Sequence, residues 1–161
     1  MENKPAVQWL AAPQDHDYPA AAAYLSLTVE DAQVADIVAR LKKAPETKQK
    51  AKDILRASRL ALLPKGDAHV ARDLAKVTKG EALSPILLVR GDLNSDHPLV
   101  IADGYHRVCV SYYVDVDTDI PCRIVPAVRP VKTTAKRATS AKPATSAKRT
   151  TTAKRAEGKK K

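Results

Sequence analysis

The feature that most constrains this chain is a change of hydrophobic period in its second half. SPILLVR (residues 84–90) and PLVIAD (98–103) are apolar runs too short for a helix and rich in strand-forming side chains. The GDLNSDH between them is polar and full of turn residues. GYHRVCVSYYV (104–114) then returns to helix length, and DIPCRIV (119–125) is a further short strand. A few short strands of this kind must be covered by helices, so the pattern predicts a compact domain of the α/β (α+β) class, with helices packed on a short-stranded sheet.

The first half supplies those helices. Residues 1–17 read as an irregular N-terminal arm, with Pro5, Pro13 and no sustained period, and Trp9 is expected to dock it onto the body. DYPAAAAYLSL opens with Asp17 as a candidate cap and Pro19 in the first turn. In TVEDAQVADIVARLKKA, Thr28 is a candidate cap, and Val34, Ile37, Val38 and Leu41 recur at helical spacing. ETKQKAKDILRAS (46–58) reads as one polar helix. DAHVARDLAKVTKG has Asp67 as cap, Gly80 as stop and an inner face of Val70, Leu74 and Val77, with His69, Arg72, Lys76 and Lys79 gathered on another face. A basic face of this kind is ordinarily just solvated.

Charge divides the chain. Of its 28 Lys and Arg and 18 Asp and Glu, eleven bases and one acid (Glu157) lie from Val131 on, leaving seventeen of each before it. The expected division is therefore a domain at 18–130 and a basic tail at 131–161. The tail repeats a six-residue unit, TAKRAT, SAKPAT, SAKRTT, TAKRAE, and ends in GKKK. With no large apolar residue it cannot offset the entropy of ordering, so disorder is expected. Its cations, Lys132, Lys136, Arg137, Lys142, Lys148, Arg149, Lys154, Arg155, Lys159, Lys160 and Lys161, suit a nucleic-acid backbone, and no aromatic side chain interleaves them to read bases. In composition the tail resembles those of linker histones and bacterial histone-like proteins. The alternative is a solubilising extension without a fixed partner.

The other candidate site is the interruption inside IADGYHRVCV (101–110), where an apolar strand breaks at Asp103-Gly104, shows Tyr105, His106 and Arg107, and turns apolar again. The first amides of a helix have no internal partners and the helix dipole adds positive charge there, so a strand-to-helix corner suits an anion. Gly104 permits the turn and close approach of a ligand, His106 and Arg107 add donors, and Asp103 could cap, hold a metal beside a phosphate, or accept a proton. An ordinary turn is the competing reading.

SPILLVR, then LVIADGYHR opening a helix, then IPCRIV, resembles the ParB/sulfiredoxin-type nucleotide-binding fold over roughly residues 60 to 126, nearest to bacterial ParB-like proteins with an ADGYHR motif. The resemblance implies a cradle for the phosphates of ATP or CTP, with Mg²⁺, at Gly104, His106 and Arg107. It also implies that the preceding helix, here His69, Arg72 and Lys76, contributes to the nucleotide site. Sulfiredoxins place a catalytic cysteine where this chain has Tyr105, so sulfinic-acid reduction does not carry over. Chromosome-partitioning ParB proteins have Gly-Glu-Arg-Arg here, followed by modules that this tail does not resemble. Free-serine kinases of the superfamily carry Asp-Gly-His-His-Arg, close to residues 103–107, but need a further catalytic acid that the sequence does not identify.

Three function classes follow: a nucleotide-binding domain tethered to DNA by its tail, a small-molecule kinase or NTPase using the same cradle, and a structural nucleoid-associated protein. No metal site is expected, since His106 and Cys109 lack further ligands at suitable spacing. Cys109 and Cys122 fit no disulfide framework and read as buried thiols. No secretory signal or membrane span is read, so a cytoplasmic, bacterial, nucleoid-associated protein is the expectation.

Overall fold

The computed structural model describes residues 5–128, and the tail cations named above lie outside them. The elements run α1 (Asp17–Leu25), α2 (Asp31–Lys43), β1 (Glu46–Lys50), α3 (Ala51–Ser58), α4 (Ala68–Thr78), β2 (Ile86–Arg90), β3 (Val100–Asp103), α5 (Tyr105–Val114) and β4 (Asp119–Pro126). The strands form one mixed sheet in the order β1-β4-β2-β3. β2 lies parallel to β4, while β1–β4 and β2–β3 are antiparallel. This is the α/β arrangement that the change of period predicts.

Both faces of the sheet are covered, which explains why Ile86 to Val89 of β2 are apolar rather than alternating. Ile86 and Leu88 point to one face, where they pack with Ile54, Val70, Val77, Val108 and Ile120 from or beside α3, α4 and α5. Leu87 and Val89 point to the other, against Ala21 and Leu25 of α1 and Val34, Ile37 and Leu41 of α2. The helical stripe in α2 therefore does what its spacing predicts. Cys109 and Cys122 are free, fully buried thiols. Burial pushes both thiols above their ordinary ionisation range. Among the described residues no helix is long and apolar enough to cross a membrane.

Three local expectations are corrected. Residues 46–58 are not one helix: β1 pairs with β4 from Glu46–Arg123 to Lys50–Asp119, and α3 starts at Ala51. β1 is an edge strand whose first four residues are exposed, so backbone pairing holds it and no apolar alternation marks it. Thr28 does not cap α2, which begins at Asp31 after Glu30; its hydroxyl instead donates to Leu25 O at 2.9 Å. Asp17 is not an exposed cap but a buried carboxylate, only 3% accessible. The arm docks on the body at Trp9, as expected. Leu10 N donates to Leu83 O and Leu83 N to Gln8 O, both at 2.8 Å, which fixes the segment around Trp9 beside the core. Asp67 behaves as predicted, accepting from His69 N at 2.9 Å and Val70 N at 3.1 Å.

Candidate functional site

The corner forms where β3 ends and α5 begins. Gly104 is the N-cap at φ 105°, a conformation that side chains other than glycine resist. The reason for glycine is partly packing. A Cβ there would lie 2.4 Å from Ile86 Cγ2 and 2.9 Å from Ile86 Cβ, so the space beside Gly104 belongs to the core and not to a ligand. Neither Gly104 nor Asp103 caps α5 through a side chain. The capping role expected for Asp103 is replaced by an ion pair with Arg107, one helical turn on.

Arg107 itself is a correction to the expectation that it presents its guanidinium to a phosphate. Its side chain is 12% exposed and turned into the protein. One terminal nitrogen donates to Ser84 O at 2.6 Å and Pro85 O at 3.1 Å. The other donates to Asp103 and, at 3.3 Å, to Asp17. Asp17 in turn accepts from Ser84 Oγ and from Gln14 N at 2.7 Å. Arg107 is thus a clamp that joins the N-terminal arm, the start of β2 and the end of β3. Burial raises the Asp103 carboxyl above its ordinary range; the Arg107 cation opposes that shift and the Asp17 charge adds to it.

Outside this clamp lies a polar cavity of about 240 Å³. Asp103, Gly104, His106 and Arg107 line it from the corner, Arg72, Asp73 and Lys76 from α4, and Gln14, His16 and Asp17 from the arm. Of the α4 basic face, Arg72 and Lys76 line this cavity. His69 reaches the corner indirectly, its ring stacked on His106 with centroids 4.6 Å apart. Tyr105 does not join the cavity lining, and its hydroxyl donates to Ala61 O. Tyr113 is a packing residue whose hydroxyl donates to Leu63 O at 2.7 Å.

Three carboxylates, Asp17, Asp73 and Asp103, face three permanent cations, Arg72, Lys76 and Arg107, so the cavity is balanced when its histidines are neutral. Lys76 Nζ lies 3.2 Å from Asp73 Oδ1, but its side chain remains 42% exposed, and that of Arg72 62%. These two are therefore solvent-accessible donors at the mouth, whereas Arg107 is buried in its ion pairs. Burial and the neighbouring His69 lower the proton affinity of His106, with Asp67 opposing. Among the described residues no group of three or more His, Cys, Asp or Glu is arranged to hold a metal ion.

Asp17, Asp73, His16 and Ser84 are site residues that sequence reasoning missed. DHDYP signalled a helix start, and nothing local indicated that Asp17 would meet an arginine ninety positions away. Comparison of the chain with protein-family models, curated proteins and solved structures finds no match.

Proposed function

We propose that the cavity between α4 and α5 holds the phosphate end of a nucleotide, ATP or CTP, and that the basic tail keeps the domain on DNA. One observation carries the first half: Arg72 and Lys76, some thirty positions before the corner, converge with the α5 N-terminus and His106 on one polar cavity. At about 240 Å³ it is smaller than the roughly 300–1,000 Å³ of a drug-sized site, so only phosphates enter and the nucleoside lies across the mouth. Arg72 and Lys76 pair with phosphate oxygens, and first-turn amides of α5 add donors. Arg107 acts by offsetting part of the Asp103 and Asp17 charge, which otherwise repels an anion. The strand-to-helix setting also agrees with the cradle implied by the ParB/sulfiredoxin resemblance. Any Mg²⁺ arrives on the nucleotide.

Calorimetric titration of the full chain with ATP, CTP and GTP, each with Mg²⁺, tests this. Saturable binding of one nucleotide that Arg72→Ala and Lys76→Ala weaken supports the cavity. Binding unchanged in both variants assigns the heat to the tail and refutes it.

The DNA half rests on the tail's charge. If six to ten tail cations engage phosphates, raising salt from 50 to 200 mM lowers affinity roughly 10³- to 10⁵-fold. Equal DNA affinity for the full chain and a chain ending at Pro130 would remove the tail from the account.

The raised proton affinity of Asp103 inside the cavity favours a second reading, a kinase or NTPase with Asp103 as base. Turnover of labelled ATP with an amino-acid pool, abolished by Asp103→Asn, supports it. Saturable binding without turnover supports the binding domain alone.

A further inference from the structure

A second cavity, of about 470 Å³, lies at the opposite end of β2 from the corner. The β2–β3 pairing fixes the separation: Leu87 is level with Asp103, while Val89 is level with Val100 near the hairpin. The floor is apolar, built from Ile54, Leu88, Leu99 and Ile124. Its volume falls within the range of small-molecule sites.

The walls are held in place by the main chain. Leu99 N donates to Ala57 O at 3.0 Å, tying the hairpin to α3. Arg59 and Asp96, both at positive φ (56° and 54°), pair with each other across the same gap. Non-glycine residues rarely adopt that conformation, and such strain persists where surrounding contacts fix it. Gly91 completes the wall: a Cβ would lie 2.5 Å from His97 O and 2.6 Å from Pro98 C, so the two hairpin arms approach as closely as glycine alone permits.

The unpaired side chain at the rim selects the ligand class. Three arginines line this cavity. Arg56 pairs with Asp53 at 2.9 Å and Arg59 with Asp96. Asp92 accepts from Asn94 N at 2.9 Å and Ser95 Oγ at 2.6 Å within its own turn. Arg90 is the remaining cation, exposed and with no side-chain hydrogen bond or ion pair to the described residues. Strand alternation places it on the same face as Leu88, at the edge of the apolar floor. With Asp53, Asp92 and Asp96 against three arginines the charges here balance overall, and Arg90 is the guanidinium left without a partner. An unpaired guanidinium beside an apolar floor is complementary to one carboxylate on an apolar body, since the planar fork takes both carboxylate oxygens.

We propose that this cavity binds a small monocarboxylic acid with an aliphatic or aromatic body, its carboxylate on Arg90 and its body on Leu99 and Ile124. The site is independent of the nucleotide reading.

Hexanoate is the probe, titrated into the ¹⁵N-labelled full chain and followed by amide shifts. Saturable shifts at Ala57, Gly91 and Leu99 are expected. Hexan-1-ol, equal in length but uncharged, and hexanoate on Arg90→Gln each bind about tenfold or more weaker, the loss of a charge-assisted hydrogen bond. Ala57→Phe, at an exposed helix position in the cavity wall, abolishes the shifts without touching Arg90. Absence of saturable shifts at these amides in the millimolar range overturns the site. Equal binding of hexanol, or of hexanoate to Arg90→Gln, overturns the carboxylate assignment. Protein-concentration-dependent shifts at the same amides without probe show that a second copy covers the face, and overturn it too.

Discussion

Replacing Arg107 with alanine separates a clamp from a free phosphate ligand. The substitution leaves Asp103 and Asp17 without their shared cation and removes the donor to the Ser84 and Pro85 carbonyls. Breaking a buried ion pair on one side costs about 3–5 kcal/mol. The Asp103 side chain is 19% exposed, so water offsets part of the loss and the low end, about 3 kcal/mol, is expected. For a body of this size that corresponds to roughly 10 °C in Tm. The deficit depends on pH in a defined direction. Asp103 already has a folded-state pKa above its ordinary 3.8, so it favours the folded state most at low pH. That contribution is lost as pH rises through the raised value. Without the opposing cation the folded-state pKa rises further, so the Arg107→Ala deficit is smallest near pH 4 and full at neutral pH. Urea unfolding followed by far-UV circular dichroism measures it. Asp103→Asn in the Arg107→Ala background recovers part of the loss, because the uncompensated charge is gone. A deficit below about 1 kcal/mol, or one flat with pH, would refute the clamp and return Arg107 to the list of free donors.

Gly104→Ala is expected to destabilise by roughly 2–4 kcal/mol in the same assay, combining positive-φ strain with overlap on Ile86; a loss within experimental error contradicts the packing reading. Nucleotide affinity should rise as pH falls through the ranges in which His106 and Asp103 take up protons, since protonating His106 adds a cation and protonating Asp103 removes an anion; calorimetry showing the reverse slope contradicts a role for these groups in the site. Cys109 and Cys122 should resist an aromatic disulfide reagent in the native chain and react fully in urea, and rapid native labelling would contradict their burial.

Legibility followed how far each residue's role depends on its neighbours in sequence. The α2 stripe, the Asp67 cap, and the β2, β3, α5 and β4 pattern are local, and the structure reproduces them. β1 was hidden because ETKQK is held by backbone pairing at a sheet edge and leaves its side chains in solvent, where helix and strand look alike. At the corner, the glycine and the nearby basic residues were readable; the α4 periodicity put Arg72 and Lys76 on one basic face, ordinarily just solvated, and only the ParB/sulfiredoxin resemblance implied a place for them at the site. The fate of Arg107 was not readable. It depends on Asp17, an arm residue whose local context matched a helix start, and only the docking of the arm through Leu83 brings the two together.

The most direct test of the phosphate cavity is a titration of inorganic triphosphate into the ¹⁵N-labelled full chain. The account predicts saturable shifts at the amides of Gly104, His106 and Arg107 and of Arg72 and Lys76. Shifts confined to residues 131–161, with the corner silent, would contradict it.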